Sequence, residues 1–128
     1  MHRDKIDNAI STALTYLEDS LRSLSSNRGE AVSDSLWSAS AETEYAVFLL
    51  SLTQGDKAES ASWKHSSSSK HSIEFKPALT SALELLNKAK KSVEVGNFER
   101  GYKESWTARN LLLKARELLE KKRKEAKK

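Results

Sequence analysis

The chain has no cysteine, one proline and only four glycines in 128 residues. The missing thiols exclude disulfides, thiolate zinc sites, iron–sulfur clusters and cysteine nucleophiles together, and they fit a cytoplasmic protein. So few prolines and glycines suit long helices rather than a succession of turns, and strands are expected to contribute little. No apolar run approaches the span of a bilayer, the longest being Tyr45 to Leu50, and the polar stretch from Met1 through Asp7 does not read as a signal peptide. The glycines, at 29, 55, 96 and 101, are too scattered for a Walker loop or a dinucleotide fingerprint, and no Gly-x-Ser-x-Gly elbow surrounds any serine. Glu-x-x-His, which carboxylate-bridged metal bundles repeat on two helices, is also absent. No cofactor or metal is therefore expected, and the enzyme reading leans toward no. His65 and His71 lie in a serine-rich segment and His2 at the chain start, positions that suit solvent better than a metal.

What is present is helical periodicity. Ile6, Ile10, Ala13, Leu14, Leu17, Leu21 and Leu24 recur at spacings of three and four, predicting a first helix over about 4–25. Asp4 and Asp7 sit in its first turn, where carboxylates favour the positive end of the helix dipole, and Asn27 and Gly29 are stop signals. A second helix, about 30–52, carries Val32, Leu36, Ala39, Ala46 and Leu50 on one stripe, and the short link makes the first two helices antiparallel neighbours. From Tyr45 to Leu50 this helix is apolar around its whole circumference, so something must cover its outer side.

Residues 54–75, rich in Ser, Lys and His, read as a long connection. Fully extended it reaches roughly 70 Å against ~30 Å for a twenty-residue helix, so either a direct turn or a crossover is open to it. Pro77 is placed as the first residue of a third helix, about 77–95, with Ala78, Leu79, Ala82, Leu83, Leu86, Ala89 and Val93 inward. Gly96 should end it in a left-handed conformation, and Asn97 should cap a fourth helix, about 97–125. That helix would turn Phe98, Gly101, Ser105, Ala108, Leu112, Ala115 and Leu119 inward, many of them small enough to admit a close neighbour. The expected fold is all-α: one domain, 1–128, an antiparallel four-helix bundle of two hairpins.

Gly96-Asn97-Phe98 followed by Gly101 and Ala108 resembles the turn and second helix of a tetratricopeptide-type hairpin over about residues 82–119. There is no second copy and the fourth helix is longer than that family's, so its peptide groove is not implied. The same hairpin in an antiparallel bundle is similar to the HEPN group, which includes ribonucleases and nucleotide-binding modules. That group's Arg followed four to six residues later by His is missing: Arg109 leads into Asn110 and leucines, so the resemblance does not carry nuclease activity here. The whole chain also resembles, in style rather than in motif, the small Lys-rich helical proteins of archaea.

The formal charge of +4 is unevenly spread: residues 114–128 hold eight Lys or Arg against three Glu, leaving residues 1–113 at −1. Lys121, Lys122, Arg123, Lys124, Lys127 and Lys128 could neutralise phosphates. Glu117 and Glu120 each precede a lysine by four residues, which equally supports a solvated helix, and no aromatic residue is interleaved for base stacking.

Two further groups stand out. Glu42 and Glu44, two apart on the second helix, point in different directions, so at most one faces inward. Glu42 and Arg109 could form a buried ion pair, or the Arg109 guanidinium could lie along Trp106 with its head in water. Trp37, Tyr45, Phe48, Tyr102 and Trp106 read as exposed aromatics, an apolar patch for a second copy unless Trp63, Ile73 and Phe75 cover it. The expected function is a non-enzymatic helical interaction or structural module, binding itself or another protein and no membrane. The alternatives are nucleic-acid association through the basic C-terminus, and an enzyme or small-molecule binder with its site inside the bundle.

Overall fold

The computed structural model describes residues 3–26, 29–57 and 74–126, with the backbone alone described for Lys57 and residues 123–126. Almost all of them are helical, in the order α1 (Arg3–Ser25), α2 (Gly29–Gln54), a 3₁₀ turn (Gly55–Lys57), α3 (Phe75–Glu94) and α4 (Phe98–Ala126). There is no strand among the described residues.

Three of the four helices follow from a single apolar stripe. In α1 the buried residues are Ile6, Ala9, Ile10, Ala13, Leu14, Leu17 and Ser20, and in α3 they are Ala78, Leu79, Ala82, Leu86, Ala89, Ser92 and Val93. On α4, Gly101, Ser105, Ala108, Leu112 and Ala115 are buried. These spacings of three and four put each set on one side of its helix. The fourth case, α2, buries Val32, Leu36, Ala39, Thr43, Ala46 and Leu50 and, flanking that stripe, Ser33, Ser40, Val47 and Leu49.

Boundaries differ from the sequence expectation at three places. Gly29 is the first residue of α2 rather than a stop for α1, and α2 continues to Gln54. The third helix starts two residues earlier than expected, at Phe75, with Glu74 in the N-cap position and no side-chain cap bond. Pro77 is then the third helical residue, which costs nothing because first-turn amides have no intrahelical acceptor. The expected connection 54–75 is correspondingly shorter. Residues 58–73, with Trp63, His65, His71 and Ile73, lie outside the described residues, as do His2, Asn27, Lys127 and Lys128.

α1 packs on α2 and α3, and α4 packs on α3 and α2; among the described residues α1 and α4 do not lie backbone beside backbone, nor do α2 and α3. Each helix therefore has two neighbours around a shared interior. Its fully buried large side chains come from all four: Ile6, Ile10 and Leu17, Leu36 and Leu50, Leu79, Leu86 and Val93, and Leu112. Each such Leu or Ile contributes ~1.5–3 kcal/mol by leaving water. Helices of this length have little stability in isolation, so the shared interior is what holds them.

The joint between α3 and α4 is set by two residues. Gly96 adopts φ +81°, a left-handed conformation that a side chain would strain. The Gly96 amide donates to the Val93 carbonyl at 3.0 Å and the Asn97 amide to the Ser92 carbonyl at 2.8 Å, a Schellman closure. The Asn97 side-chain oxygen then accepts the Arg100 amide at 3.2 Å, capping α4. One turn further on, a Cβ added to Gly101 would lie 3.2 Å from Val93 Cγ2, so the two helices meet there nearly backbone to side chain.

Candidate functional site

Among the described residues, the outer side of α2 is a surface of unusual composition. Trp37, Ala41, Tyr45, Phe48 and Leu52 follow one another at spacings of four, four, three and four, so they fall on one narrow side of the helix, opposite Leu36, Thr43 and Leu50. All five are exposed, Trp37 to 52%, Tyr45 to 45%, Phe48 to 56% and Leu52 to 50%. With a rise of 1.5 Å per residue the stripe is ~22 Å long. The rest of the run Tyr45 to Leu50, namely Ala46, Val47, Leu49 and Leu50, is buried. The outer side is thus uncovered by the described residues.

Two of the five expected patch aromatics do not belong to this surface. Tyr102 is 4% exposed and part of the core, which corrects its reading as an exposed aromatic. Trp106 is partly buried and packs against that core. Both sit on α4, where the inward small residues bring neighbouring helices close enough to cover a ring beside them.

The α4 border of the stripe is basic. The Arg116 guanidinium lies over the Trp37 ring, 3.4 Å from its centroid. Such stacking is worth ~0.5–1 kcal/mol at an exposed site. Arg116 and Trp37 also wall an open cleft between α2 and α4 together with Leu113 and Leu119. Further along, Arg109 Nε is 3.5 Å from Glu44 Oε1, with the two side chains 33% and 49% exposed. This corrects the expected pair: Arg109 meets Glu44, not Glu42, and the pair is half in solvent rather than buried. Glu44 projects from the flank of α2 that faces α4, and the two-residue step to Glu42 turns that carboxylate away. Water and salt screen such a pair, so it orients the border more than it stabilises the fold.

A buried carboxylate lies elsewhere, and the sequence reading missed it. Glu104, on α4, is 9% exposed and accepts a 2.6 Å hydrogen bond from Ser92 Oγ of α3. Arg100 Nε stands 3.7 Å from its other oxygen. The signal lay in two helices at once: Ser92 falls on the apolar stripe of α3, but a glutamate beside Gly101 and Ser105 reads as exposed until that hydroxyl is found opposite it. The arrangement clamps α3 to α4.

Among the basic C-terminal residues, Lys121 and Lys122 are exposed on α4, Arg123 and Lys124 continue its backbone, and Lys127 and Lys128 lie outside the described residues. Charge divides along the chain: residues 1–57 hold five Lys or Arg against nine Asp or Glu, and residues 74–128 hold fifteen against eight. α2 itself has four acids and no Lys or Arg. Among the described residues no group of three or more metal-ligating side chains is placed to hold an ion, and no helix is long and apolar enough to cross a membrane. No family model, curated protein or solved structure matches the chain.

Proposed function

We propose that the chain is a non-enzymatic helical docking module that offers the outer side of α2 to another protein surface. Its frame is an antiparallel four-helix bundle of two hairpins, α1–α2 and α3–α4. The side-chain pairs support that sense of packing: Trp37 meets Arg116 and Glu44 meets Arg109, so numbers rise along α2 as they fall along α4. Likewise Arg3, at the start of α1, donates to the Glu94 carbonyl at the end of α3.

The observation that carries the functional reading is the continuous exposed stripe Trp37, Ala41, Tyr45, Phe48 and Leu52. Single exposed apolar residues are ordinary, but four large ones aligned on one side of a helix form a patch of the size that often serves as a contact surface. Aromatic side chains beside an arginine are also the composition that interfaces favour.

The test compares Tyr45→Ser/Phe48→Ser with the unsubstituted chain by thermal melting and by binding of an apolar fluorescent dye. The docking reading expects an unchanged melting midpoint and loss of dye binding. A drop in stability of the size seen for core truncation, about 3–5 kcal/mol, would show that the chain itself covers these rings and would end the proposal.

The charge division supports a second reading, association with nucleic acid through Lys121, Lys122, Arg123, Lys124, Lys127 and Lys128. Removing residues 120–128 should then abolish binding to mixed nucleic acid; retention of binding at low salt would refute this mechanism.

A further inference from the structure

Resting on the outer side of α2 as the docking surface, we infer that its occupant is a second copy of this chain, whose own α2 crosses it antiparallel. The first argument is the order of side-chain sizes. The stripe runs from Trp37 to Leu52, and its midpoint falls between Glu44 and Tyr45. Reversed about that point, Trp37 faces Leu52 of the second copy and the small Ala41 faces Phe48, so a large ring enters the gap left by a methyl group. In a parallel pair Trp37 would meet Trp37 and Phe48 would meet Phe48, while the two alanines left a hole between them. Interfaces between identical copies are built on such self-complementary surfaces.

The second argument is charge. α2 has only acids, Glu30, Asp34, Glu42 and Glu44, and of these Glu30, Asp34 and Glu44 are exposed. A parallel pair sets each of the three beside its own copy and aligns the two helix dipoles, both unfavourable. In the antiparallel pair Glu30 and Asp34 fall past Leu52 of the second copy, outside the seam. Only Glu44 remains near the two-fold axis, and it is already held at 3.5 Å by Arg109. The axis brings both Arg109 side chains to the same border, so two carboxylates and two guanidiniums can alternate there.

The third argument is area. Four large side chains, each about half exposed, offer on the order of 100 Å² apiece, and with their polar flanks the two copies together bury roughly 1,000 Å². That is the size of a transient interface rather than an obligate one. The dimer is therefore weak and reversible, and the folded protomer does not depend on it.

The absence of cysteine makes the geometry directly testable. Asp34→Cys and Asp56→Cys both lie outside the seam, and the antiparallel pair brings residue 34 of one copy near residue 56 of the other. With a short bis-maleimide linker, a mixture of the two variants should give cross-linked pairs of one of each, several-fold above either variant alone. Predominant Asp34→Cys self-pairs, or no preference, would overturn the arrangement. In parallel, light scattering between about 10 µM and 1 mM, the range of weak association, should show the mass rising from 14.3 kDa toward twice that value. Phe48→Ser should stay monomeric.

If the unsubstituted chain is monomeric throughout, the inference fails, and the maleimide reaction rate of Tyr45→Cys then separates the two ideas. A rate near that of an unfolded reference leaves the docking surface standing with a different occupant. A rate many-fold slower means the stripe is covered within the chain, and the proposed function falls too.

Discussion

Gly101 and Ser92 show how single atoms set the distance between α3 and α4. Alanine at 101 gains up to about 1 kcal/mol of helix propensity but must displace Val93 Cγ2, 3.2 Å from the new Cβ. Gly101→Ala is expected to be near neutral and Gly101→Leu to cost about 2–3 kcal/mol, because the larger side chain pries two packed helices apart; urea unfolding of both variants checks this, and a stable leucine variant would refute the close approach. Ser92→Ala removes the hydroxyl that Glu104 accepts at 2.6 Å and should cost about 1–3 kcal/mol, since the carboxylate stays buried with one partner fewer. The small inward residues of α4 could be read from the sequence, because spacing alone selects them. Glu104 could not, because burying a carboxylate is decided by a partner on another helix. The partner of Arg109 was misassigned to Glu42 for a similar reason: the i, i+2 geometry says that only one of the two glutamates can face a given neighbour, but only the placement of α4 shows that it is Glu44.

At the scale of the element, the α3–α4 turn was the most legible feature, since Gly96 and Asn97 each have a local reason to be where they are. Gly96→Ala should cost about 1 kcal/mol through the left-handed backbone, and Asn97→Ala about 1 kcal/mol through loss of the cap on the Arg100 amide; the pair should be less than additive, because both act on one turn. Melting curves of the two single variants and the double would show it, and a fully additive double would argue that the turn is not one unit. The α2 helix was harder to read. Its Tyr45-to-Leu50 run signalled apolar residues on all sides, but periodicity alone could not say which of them the other helices would claim. The packing of α1 and α4 claims Ala46, Val47, Leu49 and Leu50 and leaves Tyr45 and Phe48 outside. A matched pair makes the difference measurable: Leu50→Ala is expected to cost about 2–5 kcal/mol and Phe48→Ala less than about 0.5 kcal/mol. The start of α3 was placed two residues late because proline is tolerated throughout the first helical turn and does not mark its first residue.

Across the whole molecule, four helices and their inward stripes followed from spacing, and the partition of charge between residues 1–57 and 74–128 was countable. The short links make α1–α2 and α3–α4 neighbours, but how one hairpin lies on the other was not legible, since stripes of the same period can be paired in more than one way. The contacts of α1 with α3 and of α2 with α4 join segments far apart in sequence, as between Glu44 and Arg109. A fragment of residues 1–57 therefore lacks half the walls of its interior and is expected to show weak helicity and no cooperative melting by circular dichroism; a sharp transition in that fragment would mean that α1 and α2 form a self-sufficient unit.

The distance along the chain between α2 and α4 also has a bearing on synthesis. During synthesis α2, complete at Gln54, is made before α4 begins at Phe98, so Leu36 and Val47 exist for a time without one of the two helices that pack on α2. Until then the growing chain presents to water not only the outer stripe that the folded chain leaves exposed but also the α2 side chains that the fold buries.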